Sequence, residues 1–397
     1  MVLFSKALIA VAATLLAAGV LAHPGHDVTA EIAQRAAYMA RTDKRSLSHC
    51  SAKLKARGND ERLIARRQAL VESRRKKRSI ERRDFTSALN TSHHSSQNVT
   101  WHSSDSVIFA GNKSCILSPE VTEGPYYVSG EFVRSNVTEG EAGVPLTFDV
   151  QVINVNTCEP LSNVLLEMWH CNSTGVYGGV VAYGNGNTAD ATNLNKTAFR
   201  GIQKSNADGV LTFDTVFPGH YSGRTPHIHV LAHLNATLLP NRTITGGTIS
   251  HVGQVFFDQS LISSVKAISP YNTNTQALTT NAEDFIMAQE AANSDPILEY
   301  VMLGNSLSDG LFGWIAFGVD PTANKTVSPA ATYGADGGKA VSRAWGFGPP
   351  SGFPSGFAFP TGFPSGFPFP SGFPSGFPFP SGFPTAAPTA KKVEKEG

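Results

Sequence analysis

From residue 115 to about residue 320 the chain alternates between apolar and polar positions. Leu146, Phe148, Val150 and Val152 are separated by Thr147, Asp149 and Gln151, the period of two that sends one face of a β-strand into a core. Apolar runs of strand length recur at 164–169, 210–216, 228–234 and 252–257, and Asp208-Gly209 supplies a tight turn just before Val210. Short strands joined by turns over some two hundred residues predict an all-β domain, an immunoglobulin-like β-sandwich core with irregular loops laid over it. Residues 282–292 have the composition of a helix and are expected as a late addition to the sheets.

The flanks break this pattern. Residues 1–22 read as a secretory signal: Lys6 precedes an unbroken small and apolar run, and Val20-Leu21-Ala22 offers a cleavage site ahead of His23. The run is shorter than the ~20 residues a spanning helix needs, so no membrane anchor is expected, and neither is a nucleic-acid partner. The near-neutral total charge of +1 hides a basic arm at 23–83, where seventeen Lys or Arg face seven Asp or Glu. Its segments 30–40 and 61–72 favour helix, and it ends in Arg74-Arg75-Lys76-Lys77-Arg78 and Arg82-Arg83. It reads either as a propeptide cut at those basic doublets or as a solvated basic face that stays attached, with binding to anionic polymers as a third reading.

A linker at 84–114 leads to the sandwich at 115–320, and a second linker at 321–345 leads to a tail at 346–397 built of Ser-Gly-Phe-Pro units. That Gly/Phe/Pro/Ser-rich tail lacks the varied aliphatic residues of a core and is expected to be a disordered spacer, with wall-polymer contact through its phenylalanines as a further reading. Neither flank shows an apolar pattern that would bind it into the sandwich, so a chain from Asp84 to Trp345 is expected to fold alone. Nine Asn-x-Ser/Thr sequons, at Asn90, Asn98, Asn112, Asn136, Asn172, Asn195, Asn235, Asn241 and Asn324, fit a secreted, extracellular glycoprotein. Four cysteines permit two disulfides; the expected pairs are Cys158 with Cys171 and Cys50 with Cys115.

The stretch from Pro218 to Val230 reads Pro-Gly-His-Tyr-Ser-Gly-Arg-Thr-Pro-His-Ile-His-Val. In a strand His227 and His229 share a face and can converge on one metal ion, while Ile228 and Val230 turn to the core. His-x-His alone also suits cupin-like barrels and copper oxidases, although a cupin would want a Glu soon afterwards and residues 230–234 supply none. Two tyrosines add context. Tyr221 sits six residues before His227 on a Pro-Gly turn, and Tyr177 follows Trp169-His170 in a loop ending Gly175-Val176-Tyr177.

With these motifs in order, and with Glu123-Gly124-Pro125-Tyr126-Tyr127 ahead of them, residues 118–258 resemble the intradiol ring-cleavage dioxygenases. The short loop between Tyr221 and His227, and the lack of a recognisable helical dimerisation domain, look more like the secreted fungal-type members than the cytosolic catechol enzymes. The resemblance implies Fe(3+) as cofactor, with Tyr177, Tyr221, His227 and His229 as its ligands. It makes Tyr221 the labile axial ligand opposite His229, with Tyr177 and His227 equatorial. It also implies a catechol-type substrate cleaved with O2 to a muconate-type diacid. Arg224 matches the family arginine that steadies negative charge on the substrate, Gln254 a polar residue beside the ring, and Tyr126 or Tyr127 would line the pocket. A non-catalytic surface β-sandwich remains an alternative, since such modules share the Asp-Gly and Pro-Gly-x-Tyr features, but they have no need of Arg-x-x-His-x-His.

Overall fold

The alternation at 146–152 becomes strand β1 (Pro145–Asn154) in the computed structural model, which describes residues 47–78, 123–182, 184–186, 190–291 and 295–341. The other predicted runs become β2 (Leu165–Trp169), β4 (Val210–Val216), β5 (His227–Leu234) and β6 (Thr248–Phe256). Three long strands of the two large sheets were not anticipated: β3 (Arg200–Lys204), β7 (Glu299–Met302) and β8 (Leu311–Val319). These eight strands form the two large sheets, one in the order β7-β8-β1-β4 and the other in the order β6-β5-β2-β3; within residues 321–345, expected as a linker, Ala331–Gly334 and Gly337–Ala340 form a hairpin that pairs with Val128–Ser129.

The inner faces meet in one core. Leu146, Phe148, Val150 and Val152 of β1 pack with Leu166 and Met168 of β2, Leu211 and Phe213 of β4, and Ile228, Val230 and Ala232 of β5. Each large apolar side chain so buried contributes about 1.5–3 kcal/mol. The fold is thus the expected β-sandwich. Strand β8 runs parallel to β1 and is buried along its whole length. It lacks alternation because both of its faces are covered: Leu311, Ile315 and Phe317 enter the core, while Phe312 and Trp314 pack outward against Val71 of the basic arm.

That contact corrects the reading of the arm as a segment with nothing to bind it to the sandwich. Residues 47–78 form helices α1 (Ser51–Ala56) and α2 (Asn59–Lys77), and Leu47, Leu54, Leu63 and Val71 are buried. Their basic residues meet acids on or beside the outer face of the β1 sheet. Arg66 pairs with buried Asp149, Arg67 lies 3.5 Å from the same carboxylate, Arg74 lies 3.0 Å from Asp214, and Arg62 lies 3.0 Å from Asp208. Asn59 and Gln151 exchange a side-chain hydrogen bond. Part of the charge of the arm is therefore answered within the chain.

The cysteine pairing also differs from expectation. Cys50 is bonded to Cys158, across 108 residues of sequence, while Cys171 is a buried free thiol. Cys158 lies at the end of β1 nearest the arm, where it packs with Leu47, Leu54 and Ile153. Cys171 instead points its sulfur to the Gly219 carbonyl, 3.4 Å away, and burial pushes its thiol up to about 12. Cys115, the signal segment, the linker at 84–114 and the tail lie outside the described residues. The predicted helix at 282–292 is present as α4 (Phe285–Ala291), preceded by an unanticipated α3 (Gln259–Lys266). Among the described residues no helix is long and apolar enough to cross a membrane.

Candidate metal centre

The alternation of β5 places His227 and His229 on the outer face of the second sheet, opposite Ile228 and Val230. Register sets their neighbours: His229 lies between Trp169 on β2 and Gln254 on β6, and His227 lies beside Phe256. Trp169 stacks flat on His229, with ring centroids 4.7 Å apart and planes within 3°. Gly124 passes over the other neighbourhood of that imidazole; a Cβ added there would sit 3.3 Å from His229 Cε1. Its φ of 75° is a second reason for glycine at this position.

Two loops bring in the tyrosines. Tyr177, on the loop from β2 to β3, has its backbone held three times: its N–H donates to Asn185 Oδ1, and its carbonyl accepts from Asn185 and Asn193 Nδ2. Tyr221, on the turn from β4 to β5, is held through its neighbours, Ser222 N–H donating to Gln276 and Gly223 N–H to Thr279. The hydroxyls of Tyr177 and Tyr221 each lie 3.5 Å from His227 Nε2, which lies 3.2 Å from His229 Nε2. All four predicted ligands thus come together, and all are buried.

The donor set fits a metal ion. His227 Nδ1 lies 2.6 Å from the Thr225 carbonyl; a carbonyl only accepts, so Nδ1 carries the proton and Nε2 turns its lone pair towards the other three donors. Donors about 2.0–2.2 Å from a common ion stand about 3.0–3.5 Å apart at ordinary bond angles, which matches these separations. Burial pushes both phenols well above their usual range, against the pull of nearby Arg224. A bound cation would reverse that preference and hold them as phenolates. Phenolate and imidazole are donors suited to a hard, highly charged ion.

Arg224 is fully buried, and its guanidinium donates to Asp284 Oδ2 at 2.9 Å and to the Gln254 side chain. Gln254 therefore touches Arg224 directly. Asp284 was missed in the sequence. It sits just before α4, where its Oδ1 accepts from Ile286 and Met287 N–H, while its Oδ2 also accepts from Thr225 N–H. An Asp ahead of a helix reads as a cap; its second task needed the fold. Asp284→Ala should cost about 3–5 kcal/mol by stripping a buried charge of its partner, to be measured as a drop in unfolding free energy by urea titration.

Tyr126 lies against both candidate phenol ligands, with centroids 4.8 Å from Tyr177 and 5.8 Å from Tyr221. Tyr127 is one layer further out: it packs on Trp169, and its hydroxyl donates to Glu167, which also meets His233 at 2.8 Å. His170 is buried between the Cys171 carbonyl and Thr215, and burial lowers it to about 4. His251 stacks on Phe317, also lowered by burial, to about 3. Neither His170 nor His251 contacts the four donors.

A protein-family model described as dioxygenase matches residues 121–238. Among solved structures, an intradiol ring-cleavage dioxygenase from Tetranychus urticae is 32% identical, over 53% of this chain and 98% of that one, with a TM-score of 0.44. The chain belongs to the intradiol ring-cleavage dioxygenases. The dioxygenase domain of a carbohydrate-binding fusion protein from Streptomyces sp. SirexAA-E is 27% identical, covering 50% of this chain and 95% of that one, with a TM-score of 0.32. A 3-chlorocatechol 1,2-dioxygenase from Rhodococcus opacus is 16% identical, covering 54% and 77%, with a TM-score of 0.32. No curated protein sequence matches the chain. As an intradiol dioxygenase the chain is an oxidoreductase, and the cupin-like, copper-oxidase and non-catalytic readings are not favoured.

Proposed function

We propose that this dioxygenase is a secreted, non-haem iron(III) enzyme that opens catechol-type rings between the two hydroxyl carbons. Tyr177, Tyr221, His227 and His229 hold the iron. The observation that carries this reading is the convergence of two phenols and two imidazoles, within 3.2–3.5 Å of His227 Nε2, in a buried site of a chain of this family. Iron(III), when bound, supplies an electron-poor centre that makes a catechol ring reactive towards dioxygen, both of whose atoms end in the diacid.

The residues of the chain divide the remaining work. Tyr177, with its backbone held three times, is the fixed phenol ligand. Tyr221, on a turn held through its neighbours, would be the ligand whose phenolate oxygen accepts a substrate proton. Arg224, locked by Asp284 and Gln254, presents a fixed cation to negative charge on the substrate. Trp169 holds the His229 ring in plane, and Tyr126 lines the pocket between the two phenol ligands. Burial of the whole group excludes water, which strengthens each of these interactions.

Secretion is supported by the leader-like segment, the sequons and the Cys50–Cys158 disulfide, a bond typical of oxidising compartments. The extracellular substrate would be a catechol, a hydroxyquinol or a plant phenolic. Contact of the tail with wall polymer belongs to the same proposal. Protein purified from a secretory host should contain about one iron per chain, as one four-ligand site holds one ion, and should be purple-red from phenolate-to-iron charge transfer. Stoichiometric copper or zinc without iron in an active preparation would overturn the assignment. Mass spectrometry of the products from a panel of catechols would identify the substrate.

A further inference from the structure

Arg200 was not singled out by its sequence, yet its position ties together the two loops that build one side of the site. It stands at the start of β3, 1% exposed, and its guanidinium reaches across rather than out to solvent. Nε donates to the Gly178 carbonyl at 2.8 Å, and Nη2 donates to the Tyr126 carbonyl at 2.7 Å. Gly178 directly follows Tyr177, and Tyr126 is the residue packed on both phenol ligands. The guanidinium carbon also lies 5.9 Å from the centre of the Tyr177 ring, within range of a cation–π contact. Its counter-charge is Glu131, buried and 3.7 Å from Nε.

We propose that Arg200 is a positioning residue for the metal site: its planar fork bridges the Gly178 and Tyr126 carbonyls and so fixes the Tyr177 ligand against the Tyr126 wall. The fork geometry matters because one rigid group spans two segments distant in sequence. A buried cation held this way is more than filler, since an arginine serving only to neutralise Glu131 would not need both carbonyls. The inference rests on the proposed ligand set for its iron readouts, but the loop geometry can be tested without iron.

The test compares Arg200→Gln, Arg200→Lys and Glu131→Gln with the wild-type full chain. In metal-free protein, hydrogen exchange of peptides covering 124–128 and 176–180 should quicken at least about tenfold in both Arg200 variants, because each loses the bridge between loops. Glu131→Gln removes the counter-charge but keeps both carbonyl bonds; it should lower the unfolding free energy, read by urea titration, without quickening exchange in these two peptides relative to the rest of the chain. In iron-loaded protein, the Arg200 variants should lose iron to a chelator at least about tenfold faster. Their phenolate-to-iron absorption band should shift, while Glu131→Gln leaves both unchanged. Arg200→Lys preserves the charge, so it reports on the fork even if Arg200→Gln fails to fold. Wild-type exchange in Arg200→Lys, or an equal rise in Glu131→Gln, would overturn the proposal. A wild-type chain that holds no iron would count against the proposed function, while the metal-free exchange still decides the role of Arg200.

Discussion

His229→Ala is expected to leave a folded protein that no longer retains iron and has no measurable ring cleavage. The side chain is one of the four candidate donors, stacked on Trp169 and close to Gly124. Alanine supplies no donor, and water entering the gap is a poor substitute for imidazole. Changes to groups that merely orient a ligand weaken metal binding by about 10–100-fold, so loss of a ligand should exceed that. His227→Ala should behave in the same way. Tyr221→Phe is the informative contrast. It should keep iron, change colour, and turn over about 10²–10⁴-fold more slowly, the range associated with losing a positioned proton acceptor. Elemental analysis, visible spectra and single-turnover kinetics read these outcomes; full activity in Tyr221→Phe would contradict its role.

The second large effect lies far from the chemistry. A chain beginning at Asp84 is expected not to fold stably, contrary to what the arm's composition suggests. Without residues 47–78, Phe312 and Trp314 lose their cover and Asp149 its arginines. The Cys50–Cys158 bond, which closes a loop of 108 residues, is also lost; such a loop contributes about 4.7 kcal/mol in the chain-entropy account. Against a total stability of about 5–15 kcal/mol for a domain, that is enough to abolish cooperative unfolding. Soluble yield and a urea melt of the shortened chain would decide it. A sharp transition close to that of the full chain would show the arm to be dispensable.

What was legible in the chain followed strict periodicity or strict motif. Strands with alternating or apolar runs were found, and the four donors were placed by spacing and by family resemblance. Three kinds of feature were hidden. Strand β8 is apolar on both faces, so it carries no period. Helix α2 faces the sheet through Asn59, Leu63, Arg67 and Val71, one residue in four, and two of these are polar. Its match to the sheet is electrostatic, and the acids at Asp149, Asp208 and Asp214 are distant in sequence. The supports of the site, Arg200 and Asp284, likewise act through backbone carbonyls or as a helix cap, tasks that leave no local pattern. The disulfide was misassigned because nearness in sequence, as between Cys158 and Cys171, said nothing about which loop faces which sheet.

The Cys50–Cys158 bond has a bearing on maturation. It joins a point before the basic doublets to a point well after them, so a protease cutting at Arg82-Arg83 would release nothing. The product would be a two-chain molecule of undiminished mass, running as one band on a non-reducing gel and as two bands after reduction. Residues 47–78 of the arm lie on the outer face of the β1 sheet, across the sandwich from the four donors, and would stay there after such a cut. Nicking would then mark the chain without removing the arm.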